Sequence, residues 1–224
     1  MSVRPEVVPF LLAAVAIGVA VSLILRLFRQ PSRTAGLAAL ITTVILGAYM
    51  LYFFRDPVRT APQDPRAVVA GADGKVMRIS YMHEDKFLKT DVVRISIFLS
   101  LFDVHVNRAP VDGKITYLGY FPGSRFFTFQ DKSSDLNQHS SILIEGGRTR
   151  CLVNQIVGPV ARRVVYWLTL DQQVASGDSI GMMKFGSRLD MYLPKSEVAL
   201  RVKEGDKVRA GETVVATVNE GTSP

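Results

Sequence analysis

Two uninterrupted apolar runs near the start of the chain constrain its fold more than any other feature of the sequence. Val7 to Leu25 and Ala35 to Phe54 contain no charged residue, and each has about the 20 residues an α-helix needs to cross a ~30 Å hydrocarbon core. Between them, RLFRQPSRT places Arg26, Arg29 and Arg33 at the interface and Pro31 where a helix breaks. The pair therefore reads as a hairpin of two transmembrane helices with both chain ends on one side. A secretory signal peptide fits less well, because Arg4 makes a thin basic region, the first run is too long and a second follows at once. Arginine bias does not orient the hairpin: the three in the loop face Arg4, Arg55, Arg59 and Arg66 on the other side.

The remainder has a different composition. Arg4, Arg26, Arg29 and Arg33 against Glu6 leave +3 on the first 54 residues, so +4 of the net +7 belongs to residues 55–224. A mild positive balance beside a bilayer suits anionic headgroups, and equally a solvated basic surface. No dense Lys/Arg run with interleaved aromatics supports nucleic-acid binding. The single Cys151 excludes an internal disulfide and, flanked by apolar residues, is expected to be buried. Three scattered histidines and one cysteine show no metal-ligand spacing, so no metal is expected.

After the hairpin (1–54), RDPVRTAPQDPR (55–66) is rich in Pro and charge and reads as a linker. From Ala67 onward the chain is a series of short β segments separated by Gly, Asp and Pro turns: AVVAGA, KVMRIS, VVRISIFLS, KITYLGYF, SSILIE, RTRCLVNQIV, RRVVYWLTL, LDMYLP, EVALRV and ETVVATV. Residues 67–224 are expected to form one mainly β domain. Near the C-terminus QQVASGDSIGMM and RVKEGDKVRAGETVV share V-x-x-G-D-x-I/V, with Val174 and Val202 as equivalent starts. Such paired units resemble the halves of biotinyl and lipoyl carrier domains, a barrel-sandwich hybrid.

KFGSRLDMYLP (Lys184 to Pro194) carries the chemistry. Gly-Ser alone is most often a turn. A serine hydroxyl can also attack the preceding carbonyl, converting the peptide bond to an ester where the turn is held and the developing charge stabilised. Glycine at 186 leaves that approach unobstructed. Elimination of the ester then leaves dehydroalanine and finally a pyruvoyl group. That ketone condenses with a substrate amine to a Schiff base and accepts the electron pair released as CO2 departs.

Other stretches point the same way. FLSLFDVHVNRAPVDGKI (Phe98 to Ile115) holds His105 two residues after Asp103, AGADGKVMRI places Asp73 in a Gly-flanked turn, and FFRDPVR (Phe53 to Arg59) precedes both. With KFGSRLDMYLP and the Y-x-P-G segment of YFPGSRFFTF (Tyr120 to Phe129), these resemble the phosphatidylserine decarboxylases in their short bacterial and archaeal form, from about residue 53 to the C-terminus. The resemblance implies self-cleavage between Gly186 and Ser187, giving a β chain (1–186) and an α chain (187–224) that stay together as a heterodimer. It also implies a pyruvoyl cofactor derived from Ser187, and processing and catalytic roles for Asp73 and His105. A histidine that takes the hydroxyl proton and a carboxylate that orients its ring would suit serine activation. Longer members of the family have a second histidine three residues after the first, where this chain has Arg108. Whether His105 serves both proton transfers therefore stays open. Taken singly, His105 could equally be a satisfied half-buried side chain, and Asp73 could simply close its turn. The aromatics of Tyr120 to Phe129 read as strand packing slightly more readily than as an acyl-chain contact.

His83, among charges, is expected at the surface, and His139 in a loop. Arg108 and Arg188 are candidates for the substrate's phosphate on charge alone. The implied reaction is decarboxylation of membrane phosphatidylserine to phosphatidylethanolamine. The enzyme would lie in the inner cell membrane with its catalytic domain on the cytoplasmic face, where that lipid is generally made. A homo-oligomer is neither required nor excluded. The rivals are a membrane-anchored carrier modified at Lys184 in MMKFG, and a β-barrel adaptor without chemistry. Against the carrier, Lys184 stands directly before Gly-Ser, and a carrier has no use for FDVHVNRAP.

Overall fold

The computed structural model describes residues 2–123, 137–158, 164–184 and 187–220. Gly186, one side of the expected junction, and Ser124 to Phe129 of the aromatic segment lie outside the described residues. The chain divides into two compact units, Met1–Val58 and Arg59–Pro224.

The first unit runs β1 (Ser2–Val3), α1 (Val8–Leu27), α2 (Ser32–Phe53) and β2 (Arg55–Asp56). Arg29 takes the left-handed conformation (φ 58°) just past α1, and Pro31 caps α2, so the loop breaks where the sequence predicts. Both helices are long and apolar enough to cross a membrane. Leu12, Val15, Leu40, Val44 and Ile45 face outward, while the buried positions include the small Ala14, Gly18 and Ala35. Small residues let two helix backbones approach closely where lipid gives no hydrophobic drive. Antiparallel pairing of Ser2 with Asp56 and Val3 with Arg55 joins the two ends of the hairpin.

The second unit is mainly β, as expected. Its strands are β3 (Ala67–Val69), β4 (Gly74–Glu84), β5 (Thr90–Leu99), β6 (Val106–Arg108), β7 (Gly113–Phe121), β8 (His139–Glu145), β9 (Arg150–Val157), β10 (Val164–Tyr166), β11 (Gln173–Val174), β12 (Ser179–Met183), β13 (Ser187–Pro194), β14 (Val198–Leu200), β15 (Lys207–Val208) and β16 (Val214–Val218). Each of the ten predicted segments contains a strand. An antiparallel eight-stranded sheet, ordered β11-β7-β8-β9-β13-β5-β4-β15, is accompanied by the three-stranded sheets β10-β12-β6 and β14-β16-β3.

Alternation sorts the side chains of the large sheet into two faces. Ile95, Ile97, Ile142, Ile144, Val153, Leu189 and Met191 pack on one face with Val68, Ile180 and Val215 of the smaller sheets, forming the main core. On the other face Val92, Leu143, Leu152 and Tyr192 form a smaller cluster with Leu88. β13 lies between β5 and β9, and all eight of its residues are buried.

The internal repeat is present but its register differs from the sequence reading. Val174 pairs with Gly113, and Val208, not Val202, pairs with Gly74. Matching hydrogen bonds follow. Gly177 N–H donates to Ala109 O and Gly211 N–H to Ala70 O, while Ile115 N–H donates to Gln172 O and Val76 N–H to Asp206 O. Gly177 (φ 88°) and Gly211 (φ 74°) meet where the two copies touch, and a Cβ on Gly211 would lie 3.2 Å from the Gly177 Cα. Only residues without side chains allow that approach.

Candidate active site

Ser187 opens β13. It pairs with Leu99 of β5 and Val157 of β9, and shares the core face with Leu189 and Met191. It is fully buried, and its hydroxyl has no hydrogen-bond partner among the described residues. The extended LDMYL pattern thus begins two residues earlier than predicted, at the expected junction itself.

His105 is likewise fully buried, immediately before β6. Its carbonyl accepts from Met183 N–H at 3.2 Å, which pins this segment beside the strand that leads, four residues on, to Ser187. The ring Nδ1 lies 3.0 Å from Asp103 O. A carbonyl can only accept, so Nδ1 carries the proton, which makes Nε2 the basic atom of the neutral tautomer. The Asp103 turn is itself braced: its carboxylate accepts from the Ser100 N–H at 2.8 Å and the Ser100 hydroxyl at 2.6 Å.

Asp73 sits in the turn between β3 and β4. Arg59 Nη2 lies 2.7 Å from Oδ2, and Ala210 N–H donates to Oδ1 at 2.8 Å. Arg59 Nη1 also meets Glu212 at 2.8 Å, and its side chain is only 8% exposed. Burial raises the Asp73 carboxyl above its ordinary value, opposed by the Ala210 N–H and by Arg59. His105 is not among the hydrogen-bond partners of Asp73; the main chain at Asp103 orients the imidazole.

The other named residues fall as follows. Arg108 donates from Nη1 to Gly177 O at 2.9 Å. Arg188 is 1% exposed and leaves β13 on the face opposite Ser187, where it forms a two-point ion pair with Asp190 (Nε–Oδ1 2.9 Å, Nη2–Oδ2 3.2 Å). His83 is exposed and bonds Asp91, which raises its pKa. His139 is not in a loop as expected: it opens β8 and stacks on Phe121 at 4.9 Å. Cys151 is buried, as expected, and burial pushes its thiol pKa far up.

Sequence reasoning missed one buried polar chain. Ser140 Oγ donates to Gln155 Oε1 at 2.8 Å, and Gln155 Nε2 donates to Asn107 Oδ1 at 2.7 Å; all three side chains are fully buried. Asn107 lies inside the FDVHVNRAP motif, which could have flagged it. It also missed Arg59 and Glu212, although Arg59 closes FFRDPVR.

The site is thus a buried serine at the head of a central strand, with a buried histidine held in the segment hydrogen-bonded to Met183. Residues 46–216 match the phosphatidylserine decarboxylase family model. The chain is similar to proteins named phosphatidylserine decarboxylase proenzyme from several bacteria. That of Desulfotalea psychrophila is 41% identical over 76% of this chain and 80% of its own length. That of Prosthecochloris aestuarii is 44% identical over 78% and 79%, and that of Chlorobium limicola 39% identical over 93% and 96%. The chain belongs to the phosphatidylserine decarboxylase family, and the carrier reading of Lys184 falls away.

Proposed function

We propose that this chain is a proenzyme that cuts itself between Gly186 and Ser187 and then converts phosphatidylserine to phosphatidylethanolamine. The observation that carries this reading is the Ser187 hydroxyl, fully buried and without a partner among the described residues. Buried hydroxyls are normally hydrogen-bonded, so an unengaged one at this position is poised to react. The same observation is the fit test for the pyruvoyl group made from Ser187, since nothing described competes for the atoms that become it. When present, that group supplies an electron-accepting carbonyl that no side chain offers.

The chain's own residues do the rest. His105 is assigned the proton transfers through Nε2, with its ring held by Asp103 O. Asp73, half-buried and braced by Arg59 and Ala210, is assigned a part in the self-processing. After the cut, pairing of β13 with β5 and β9 keeps the α chain (187–224) on the β chain (1–186). Of the two arginines named for the headgroup phosphate, Arg108 is assigned it on charge, whereas Arg188, buried against Asp190 on the face opposite Ser187, is not; a raised KM with kcat retained in Arg108→Gln would support Arg108.

The test is intact mass and a denaturing gel. The wild type is expected as two pieces, and Ser187→Ala as one inactive chain. An active, uncut Ser187→Ala protein would overturn the assignment. His105→Ala is expected to stop processing or turnover, and wild-type turnover there would show the base to be misassigned.

The two apolar helices support membrane attachment. The catalytic domain is assigned to the cytoplasmic face of the inner membrane, the side on which the substrate is generally made. Because Cys151 is buried, a cysteine introduced at exposed Tyr166 would be the reactive one. Labelling of that cysteine by an impermeant reagent in intact cells would refute this sidedness.

A further inference from the structure

The Ser140–Gln155–Asn107 chain ends on a donor with nothing to give to. Asn107 Oδ1 is taken by Gln155, and the Asn107 Nδ2 group is fully buried without an acceptor among the described residues. With Gln155 holding Oε1 to the Ser140 hydroxyl and Nε2 to Asn107, turning the Asn107 amide alone would set its N–H groups against the Gln155 N–H. The fold makes room for this arrangement at Gly181, where a Cβ would come within 3.0 Å of Gln155 Nε2. Native proteins leave a buried donor unpaired rarely, and a catalytic role is one of the few reasons for it.

Gln155 brings the relay close to Ser187. Gln155 pairs with Leu189, and Val157, two residues along the same strand, pairs with Ser187. Gln155 and Ser187 are therefore diagonal neighbours on one face of the sheet, about 7–8 Å apart. Asn107, hydrogen-bonded to Gln155, is two residues from His105 in the same extended segment.

Resting on the self-cleavage reading, we infer that Asn107 Nδ2–H stabilises the oxygen that becomes negative when Ser187 attacks. In that step the Ser187 Oγ–H proton passes to a base and Oγ bonds to the carbonyl carbon of residue 186. The carbonyl π pair moves onto oxygen. Collapse restores the C=O bond and breaks the C–N bond, the Ser187 nitrogen takes up a proton, and an ester remains. The negative oxygen exists only between these two events, and a donor fixed beforehand favours it over the ground state. Gln155 and Ser140 are positioning residues that hold the amide in register.

The experiment follows appearance of the two chains by gel and intact mass in the freshly synthesised full-length protein, with hydroxylamine added to split any accumulated ester. Asn107→Ala is expected to slow cleavage about 100-fold or more, to melt cooperatively and to accumulate no hydroxylamine-labile ester, because the first step has become limiting. Ser140→Ala, which leaves Asn107 in place, is expected between Asn107→Ala and wild type. A folded Asn107→Ala that splits at the wild-type rate, or that accumulates ester, overturns the inference. Should Asn107→Ala fail to fold, a Ser140→Ala chain that cleaves as fast as wild type overturns it. A wild type that stays whole removes the proposed function itself, whereas a wild type that splits beside an equally fast Asn107→Ala removes only the donor.

Discussion

Asp73-Gly74-Lys75 and Asp112-Gly113-Lys114 occupy matching places in the internal repeat, each entering a long strand whose first residues pair with a two-residue edge strand. Their surroundings differ. Asp112 is exposed, and its side chain has no hydrogen bond or ion pair among the described residues, while Asp73 is clamped by Arg59 and Ala210. The partner turns differ too: Asp178 caps its own turn by accepting from Ala175 N–H, whereas the longer Glu212 at the matching position reaches Arg59. The repeat builds two equivalent halves, and a charge cluster is added to only one of them, the half that holds Asp73.

Exchanging charges between the halves tests that difference. The largest effect is expected from Asp73→Asn, which should slow self-cleavage about 100-fold while Asp112→Asn cleaves like wild type; equal rates would erase the distinction. Next, Arg59→Ala takes the buried guanidinium from Asp73 and Glu212 and should lower stability by about 2 kcal/mol, less than a fully buried pair because Glu212 is part-exposed and faces Arg209. Lys114→Ala, which breaks an exposed pair with Asp171, should change it by less than about 1 kcal/mol. Denaturant midpoints read both.

A smaller effect concerns pH. Because the Asp73 carboxyl titrates above its ordinary 3.8 in the folded chain, the folded state holds a proton there that the unfolded chain has released. Its contribution to stability is complete below pH 3.8 and is lost as pH rises through the folded value. Acidification through that interval should therefore favour wild type over Asp73→Asn in paired melting curves, and a constant difference would contradict the shift. The smallest contrast is expected where the symmetry is intact. Gly177→Ala and Gly211→Ala, both at positive φ, should each destabilise by roughly 1 kcal/mol or more, and a large inequality would show that the halves differ there as well.

The strands long enough to show alternation were legible in the sequence, as were the two apolar helices. β6, β11, β12 and β15 were not: they are too short to display a period and lie in stretches read for their motif or repeat, whereas the equally short β3, β10 and β14 lie inside longer apolar runs. The repeat was misaligned because the Gly205-Asp206 string imitates Gly177-Asp178. The hydrogen bonds instead match Gly211 to Gly177, through geometry no string records. At the site, Ser187, His105 and Asp73 stood in recognisable motifs. Gln155 and Ser140 did not, because a polar residue within a strand reads as solvent-facing until the cover on that face is known.

Ser187 heads a strand locked between two neighbours in the middle of the sheet, and this gives maturation a direction. With the cut proposed at 186–187, folding must come before scission, since the fragment from 187 onward supplies a central strand of the sheet. Once severed and then denatured, the halves would have to find each other by diffusion, so recovery would depend on dilution where that of the newborn chain does not. The reaction that creates the catalyst also burns the bridge back to it.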